Sequence, residues 1–418
     1  MKQNLLTSFL LFSSLLLILI SCQSVKKEFG TQSKKVDGDF IENVKNLEID
    51  NLNQNQLSKI EKEFIEIVQE ILNCEFGKVE SRIKRIISNE ENNPFKYEYL
   101  KFLTYSLFFQ SKWNELLPTA SYYYDPDSVF LLAKVFSKVE PQELRFEKDV
   151  DTIGFSLAPN GAIIVQVIIN GRQRNFWFDT GTNYTIVSSK TAEDCNLPIL
   201  TKVKSKAITH SDYRVDVLPT YIEELKLGSM KIMNHPCLIV DDFNLKLQLI
   251  ATKVPFEIYG IIGWKAIQNA KFTINYDNSF IIVEKPKKNQ NRGNNFFWFG
   301  VPIVIGQIFD TKVLFALDLG SERSYLTYNV FNKINFPKVY EQTKKIGSVG
   351  GWKYNPSVVV PYFEFFINKF KISFSDIPTI NLAKDYFFRI DGILGLDFAK
   401  RAIISFDISN SKFEITKY

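Results

Sequence analysis

Histidine is nearly absent from this sequence. His210 and His235 are the two in 418 residues, and neither sits in a ligand spacing such as H-E-x-x-H, so a His-built metal centre is excluded and no cofactor is expected. Cysteine is scarce as well, with four in the chain, too few for a disulfide scaffold at this length. There is no Gly-x-Ser-x-Gly and no phosphate-binding Gly-rich loop, and His235-Pro236-Cys237 lacks a positioned partner that would make Cys237 a nucleophile. Dense blocks of one charge are also missing. Lys and Arg are spread along the chain in spite of a formal net charge of +5, which argues against a nucleic-acid partner.

Apolar residues are plentiful: the chain is 45% hydrophobic, with 37 Phe, enough to build cores and unlike a disordered protein. Its length implies two or three domains. Near the N-terminus an apolar run from Leu5 to Ile20 has the length of a signal-peptide core and ends Ser21-Cys22. A small residue followed by Cys at that place resembles the bacterial lipoprotein signal, in which Cys22 is lipidated after cleavage. An ordinary signal peptide or an uncleaved anchor is the alternative. The resemblance implies residues 1–21 as signal, a polar tether over 22–45, and a cell-envelope protein held at a membrane surface by its lipid.

From Leu57 the apolar residues Ile60, Phe64, Ile67, Val68 and Ile71, then Val79, Ile83 and Ile86, fall at helical spacing. Asn93-Pro94 and Asp125-Pro126 open further segments, Pro suiting a first helical position. Residues 46–148 therefore read as a small all-α domain, either repeat-like or a plain bundle. After Pro141 the period changes. Residues 163–169 form a β-branched run entering Asn170-Gly171, the dipeptide of a tight hairpin turn, and short strands between Gly, Pro, Asn and Asp continue to Tyr418.

That all-β part repeats. A strand ending at Phe178 runs into Asp179-Thr180-Gly181-Thr182, and one ending at Leu317 runs into Asp318-Leu319-Gly320-Ser321. Turn residues Gly171 and Asp310 stand at the same offset ahead of each Asp, and Gly260-Ile261-Ile262-Gly263 and Gly392-Ile393-Leu394-Gly395 follow at similar distances. Each copy closes on an aromatic-Asp pair, Tyr276-Asp277 and Phe406-Asp407. One lobe occurs twice, over 149–285 and 296–418, with a polar linker at 286–295.

These residues resemble the aspartic peptidases of the pepsin and retropepsin kind, in which each lobe or subunit gives one Asp-Thr/Ser-Gly loop and an apolar-apolar-Gly strand crosses behind it. The resemblance covers about 260 residues. It implies a mainly β fold of two retropepsin-like β-barrel lobes, and an endopeptidase in which Asp179 and Asp318 are the two carboxylates of one active site acting on a peptide or protein substrate. It also implies that the hydroxyls of Thr182 and Ser321 bond their own Asp, and that hairpins at 208–213 and 347–352 close over substrate. Both Asp lie in one chain, so the catalytic unit is expected to be monomeric. Leu319 departs from the pattern: the family has Thr or Ser there, whose hydroxyl braces the opposite loop. This leaves open a second class of function, a catalytically silent lobe pair that binds peptides or protein partners.

Overall fold

The structure, a computed structural model, describes residues 38–418 apart from 54, 90–91, 121–125, 209–213, 248–255, 289–291, 349–350 and 383–385. The signal-like run, Cys22 and His210 lie outside the described residues. Among the described residues no helix is long and apolar enough to cross a membrane.

Among the described residues six α-helices come first: α1 (Gly38–Lys45), α2 (Lys59–Leu72), α3 (Phe76–Asn89), α4 (Lys96–Phe109), α5 (Trp113–Ala120) and α6 (Pro126–Phe136). Ser58 starts α2 with a reciprocal cap, its hydroxyl accepting the Glu61 N–H at 3.2 Å while Glu61 Oε2 accepts the Ser58 N–H at 2.7 Å. The apolar stripe of α2, Phe64, Ile67, Val68 and Ile71, is buried, and so is that of α3, Val79, Ile83 and Ile86. Helix α4 is buried on several sides, through Tyr99, Phe102, Leu103, Leu107 and Phe109, because it lies between the other helices and the β part. Helix α1 corrects the expected extent of the tether. Phe40 and Val44 are buried, and the Phe40 ring stands 5.8 Å from Phe64 and 5.5 Å from Phe95. A two-turn helix with so few apolar anchors shows no period against its polar neighbours.

The remainder is mostly strand with a few short helices between, and the described residues are 41% strand and 27% helix, a mainly β protein. Asn170 and Gly171 take φ of 48° and 80°, the left-handed pair that a two-residue hairpin turn requires. In the first lobe the strands Ile163–Ile169, Arg172–Phe178, Gly260–Ile262, Thr185–Ser188, Met230–Val240 and Arg214–Leu227 pair in that order. The last returns to the first through Ile168 with Lys226 and Ile169 with Leu225, closing a six-stranded barrel. In the second lobe Pro302–Ile308, Thr311–Leu317, Gly392–Leu394, Tyr325–Thr327, Phe370–Ile380 and Gly351–Ile367 pair in the corresponding order, with Gln307 opposite Phe366 where the ends meet.

The lobes share a sheet. Lys271–Asn275 of the first pairs antiparallel with Ile403–Asp407 of the second, and the rings of Phe272 and Phe406 stack with centroids 5.6 Å apart. The strand that follows the crossing strand in each lobe therefore docks on its counterpart. This fixes the two copies about a pseudo-twofold axis. Cys195 and Cys237 are buried free thiols.

Candidate active site

Each crossing strand builds one loop in the same way. Gly260–Ile262 runs parallel to Arg172–Phe178 and antiparallel to Thr185–Ser188, and Gly392–Leu394 does likewise between Thr311–Leu317 and Tyr325–Thr327. The Asp179 N–H donates to Ile262 O at 3.0 Å, and the Asp318 N–H to Leu394 O at 3.0 Å. Further on, Trp264 N–H reaches Thr182 O at 2.7 Å and Leu396 N–H reaches Ser321 O at 2.9 Å. The glycines of the crossing strands are required by this closeness. A Cβ on Gly263 would lie 2.2 Å from Tyr184 O and one on Gly395 2.5 Å from Arg323 O, so any side chain would push the loop off the strand.

The two loops meet face to face. A Cβ on Gly181 would lie 2.4 Å from Cγ of Asp318, and a Cβ on Gly320 would lie 2.4 Å from Cγ of Asp179. Each carboxylate thus rests on the backbone of the other loop. Asp179 Oδ1 accepts the Gly181 N–H at 2.7 Å, while Asp318 Oδ1 accepts those of Gly320 and Ser321 at 3.0 Å each. Asp318 is buried and Asp179 half-buried. The Thr180 hydroxyl crosses between the loops, donating to Leu317 O at 2.7 Å and accepting the Leu319 N–H at 3.0 Å. Leu319, fully buried, has no hydroxyl to return that contact.

Ser321 corrects one expectation. Its hydroxyl donates to Arg323 O at 2.8 Å, and it is the Ser321 backbone N–H that bonds Asp318, because a serine two residues ahead of a turn carbonyl closes a local bond readily. The carbonyl of Thr182 carries the contact from Trp264. The strands Ser205–Ile208 and Arg214–Leu227, and Tyr340–Ser348 and Gly351–Ile367, form the two expected hairpins. Residues 209–213 and 349–350, at their tips, lie outside the described residues.

Residues not singled out by the motif hold the loops from behind. Thr185 and Ser324 occupy the same place in the two copies, and each hydroxyl accepts the N–H of the last motif glycine, Gly263 at 3.4 Å and Gly395 at 3.0 Å. Ser324 then donates to Asp397 Oδ1 at 2.6 Å. Thr185 instead donates to His235 Nε2 at 2.7 Å, with His235 Nδ1 3.3 Å from Gln142 Oε1. This bonding assigns a neutral imidazole with its proton on Nδ1. Burial, and then the charge of Lys265, holds His235 down at about 3. The position matching Asp397 is Lys265. Its buried Nζ donates to Phe108 O at 2.6 Å and Phe109 O at 2.8 Å, at the C-terminal end of α4, and burial drives its pKa well below the usual lysine range. Aligning the two repeats would have flagged both pairs, since a lysine stands where the second copy has an aspartate in an otherwise apolar run.

Residues 165–250 match the model of the gag-polyprotein putative aspartyl protease family, a span that includes the strand into Asp179 and the loop itself. That match lies within the first of the two lobes. It supports a hydrolase of the peptidase class on the strength of that segment. No curated protein matches the sequence. Among solved structures, a retropepsin-like aspartic protease from Rickettsia conorii is similar at 12% identity over 34% of this chain and 90% of that chain, with a TM-score of 0.23, too low for that alignment to carry weight.

Proposed function

We propose that the chain is an aspartic endopeptidase in which Asp179 and Asp318 act as one dyad. The observation that carries this reading is the reciprocal seating of each carboxylate on the glycine of the opposite loop. Two carboxyls so placed share one proton, because like charges this close cannot both ionise, and they titrate as a pair. In such a pair, as in aspartic proteases generally, the ionised carboxylate takes a proton from water, whose oxygen attacks the peptide carbonyl carbon. The protonated partner first gives its proton to the carbonyl oxygen, and a proton then reaches the leaving nitrogen as the C–N bond breaks. The substrate class is a peptide or protein, the catalytic unit is a monomer, and nucleic acid is no partner.

The reading extends to location. Lipidation of Cys22 would hold the catalytic part at a membrane surface of the cell envelope, and Cys22→Ser would release the chain from the membrane fraction; a protein that stays there without Cys22 overturns the anchor. For the chemistry, the detergent-solubilised full chain is offered a diverse peptide library from roughly pH 3 to pH 8, a range that brackets dyad titration. Cuts should appear with the wild type and vanish in both Asp179→Asn and Asp318→Asn. Leu319 favours a second reading, a silent peptide-binding lobe pair, and a folded wild type that retains peptides without cutting them at any pH would establish it.

A further inference from the structure

The helical segment grips both lobes at the site. On the first lobe, Lys265 donates to the last carbonyls of α4, and its Nζ stands 5.1 Å from the Phe108 ring centroid and 5.5 Å from that of Trp113. Gln268 adds a bond from Nε2 to Phe109 O at 2.9 Å. Tyr184, in the loop after Asp179, places its ring 5.4 Å from Phe108, 6.5 Å from Trp113 and 5.8 Å from Phe136. On the second lobe, Arg389 N–H donates to Lys45 O at 2.9 Å, the Arg389 guanidinium pairs with Glu42 at 2.9 Å, and Phe387 lies 4.7 Å from Phe102.

The first-lobe contacts lead directly into the Asp179 loop. The Lys265 N–H donates to Asn183 O at 2.9 Å, next to the bond from Trp264 to Thr182, and Asn183 Nδ2 donates to Gly300 O at 3.0 Å. Gly300 packs against the Tyr105 ring of α4. Loop residues Asn183 and Tyr184 are thus each tied to α4 directly or through one residue, and Thr182 through Trp264 and its neighbour Lys265. In the second lobe, where Asp397 stands in place of Lys265, the same position is bonded within the lobe, to Ser324.

We propose that the helical segment is a built-in positioning element of the active site, with Lys265 and Tyr184 as the positioning residues that hold the Asp179 loop against the Asp318 loop where Leu319 cannot return the Thr180 brace. This rests on the dyad reading of Asp179 and Asp318. Cutting this connection lets the Asp179 loop drift, and misplacement on the scale of an ångström weakens both carboxyl coupling and attack geometry while leaving peptide binding largely alone.

The test uses the full chain with carbon-13-labelled aspartate in wild type, Lys265→Met, Tyr184→Leu and Tyr184→Phe, each checked for folding by near-ultraviolet circular dichroism. Two readouts are taken: carbon NMR titration of the Asp179 and Asp318 carboxyls, and kcat and KM on a cleaved peptide. In Lys265→Met and Tyr184→Leu the two apparent dyad pKa values should draw together by about one unit, and kcat should fall about tenfold or more with KM nearly unchanged. Tyr184→Phe, which keeps the ring, should restore both. Unchanged titration and kcat in whichever of the two disrupting variants folds would overturn the proposal. If the wild type cleaves nothing, the titration alone decides it; if the wild-type carboxyls titrate independently, the dyad reading fails instead.

Discussion

The two lobes differ least in the loops that face one another and most in what stands behind them. In the second lobe the hydroxyl under the crossing strand is Ser324, and it is held by a carboxylate three residues past the motif's leucine, Asp397, so the support comes from within the lobe. In the first, Thr185 leans on His235, and the position of Asp397 is given to Lys265, which points out of the lobe and into the helices. At this position, therefore, one copy is supported from within its own lobe and the other leans on a neighbouring segment, though the helices also touch the second lobe through Arg389 and Phe387. The cross-loop brace is divided in the same sense: Thr180 of the first lobe spans to the second, and Leu319 of the second gives nothing back.

The strongest way to break this comparison is at the brace. Thr180→Val keeps the shape but leaves the buried Leu317 carbonyl and Leu319 N–H without their shared partner, a loss of about 3 kcal/mol at the usual cost of stranded buried polar groups. Denaturant unfolding should show it, together with a large fall in kcat. Leu319→Thr, the reverse change, restores the symmetric hydroxyl but empties part of a fully buried leucine site, and should cost about 2 kcal/mol with no gain in kcat. A rise in kcat in Leu319→Thr would mean that the helices do not substitute for the missing hydroxyl.

The next effect separates the lobes by pH. His235 is neutral in the fold, with its pKa lowered from 6.5 to about 3 by burial and then by Lys265. A lowered folded value means that the unfolded chain binds one more proton between those limits. The stability linked to His235 is whole above pH 6.5 and is lost as pH falls toward 3, at up to about 1.4 kcal/mol per pH unit. His235→Gln, whose amide can accept from Thr185 without titrating, should flatten that limb of the stability curve, measured by denaturant melts at pH 4 to 7 (a span of roughly the affected window). An equally steep limb in the variant would place the acid sensitivity elsewhere. An aspartic peptidase working in acid would meet this weakness in its first lobe alone.

Much of this architecture is readable along the chain, and the reason it stops where it does is physical. Period and turn chemistry report which residues are buried and where the chain reverses, so the helical stripe of Phe64 and Ile71, the change at Pro141 and the Asn170-Gly171 turn all show in one dimension. The repeat marks the two loops that meet, because Asp-x-Gly after an apolar strand and Gly-x-x-Gly behind it recur in register. What period cannot report is the partner. Lys265 looks like any surface lysine until α4, more than 150 positions earlier, is seen to end on it. His235 looks like a stray histidine until Thr185 is found beneath it. The hydroxyl of Ser321 is a case of the opposite kind, where a family role was readable and a nearer carbonyl took the bond.

The smallest expected effect lies in the hairpins that precede the two Asp. The first turns through Asn170 and Gly171, residues that accept a left-handed backbone. The second turns between Ile308 and Thr311 with Phe309 at φ 49° and its ring almost wholly in solvent, at 91% exposure. An aromatic residue in that conformation carries strain and here buries little to offset it. Phe309→Gly should therefore stabilise the second lobe by about 1 kcal/mol, the cost of left-handed backbone for a residue with a Cβ less the added freedom of glycine in the unfolded chain. Gly171→Ala in the first lobe, at φ 80°, should do the reverse by a similar amount. Thermal melts of the two variants should move in opposite directions from the wild type. If Phe309→Gly instead melts lower, the exposed ring has a contact that outweighs its strain, and the second hairpin, unlike the first, is held by its side chain and not by its turn.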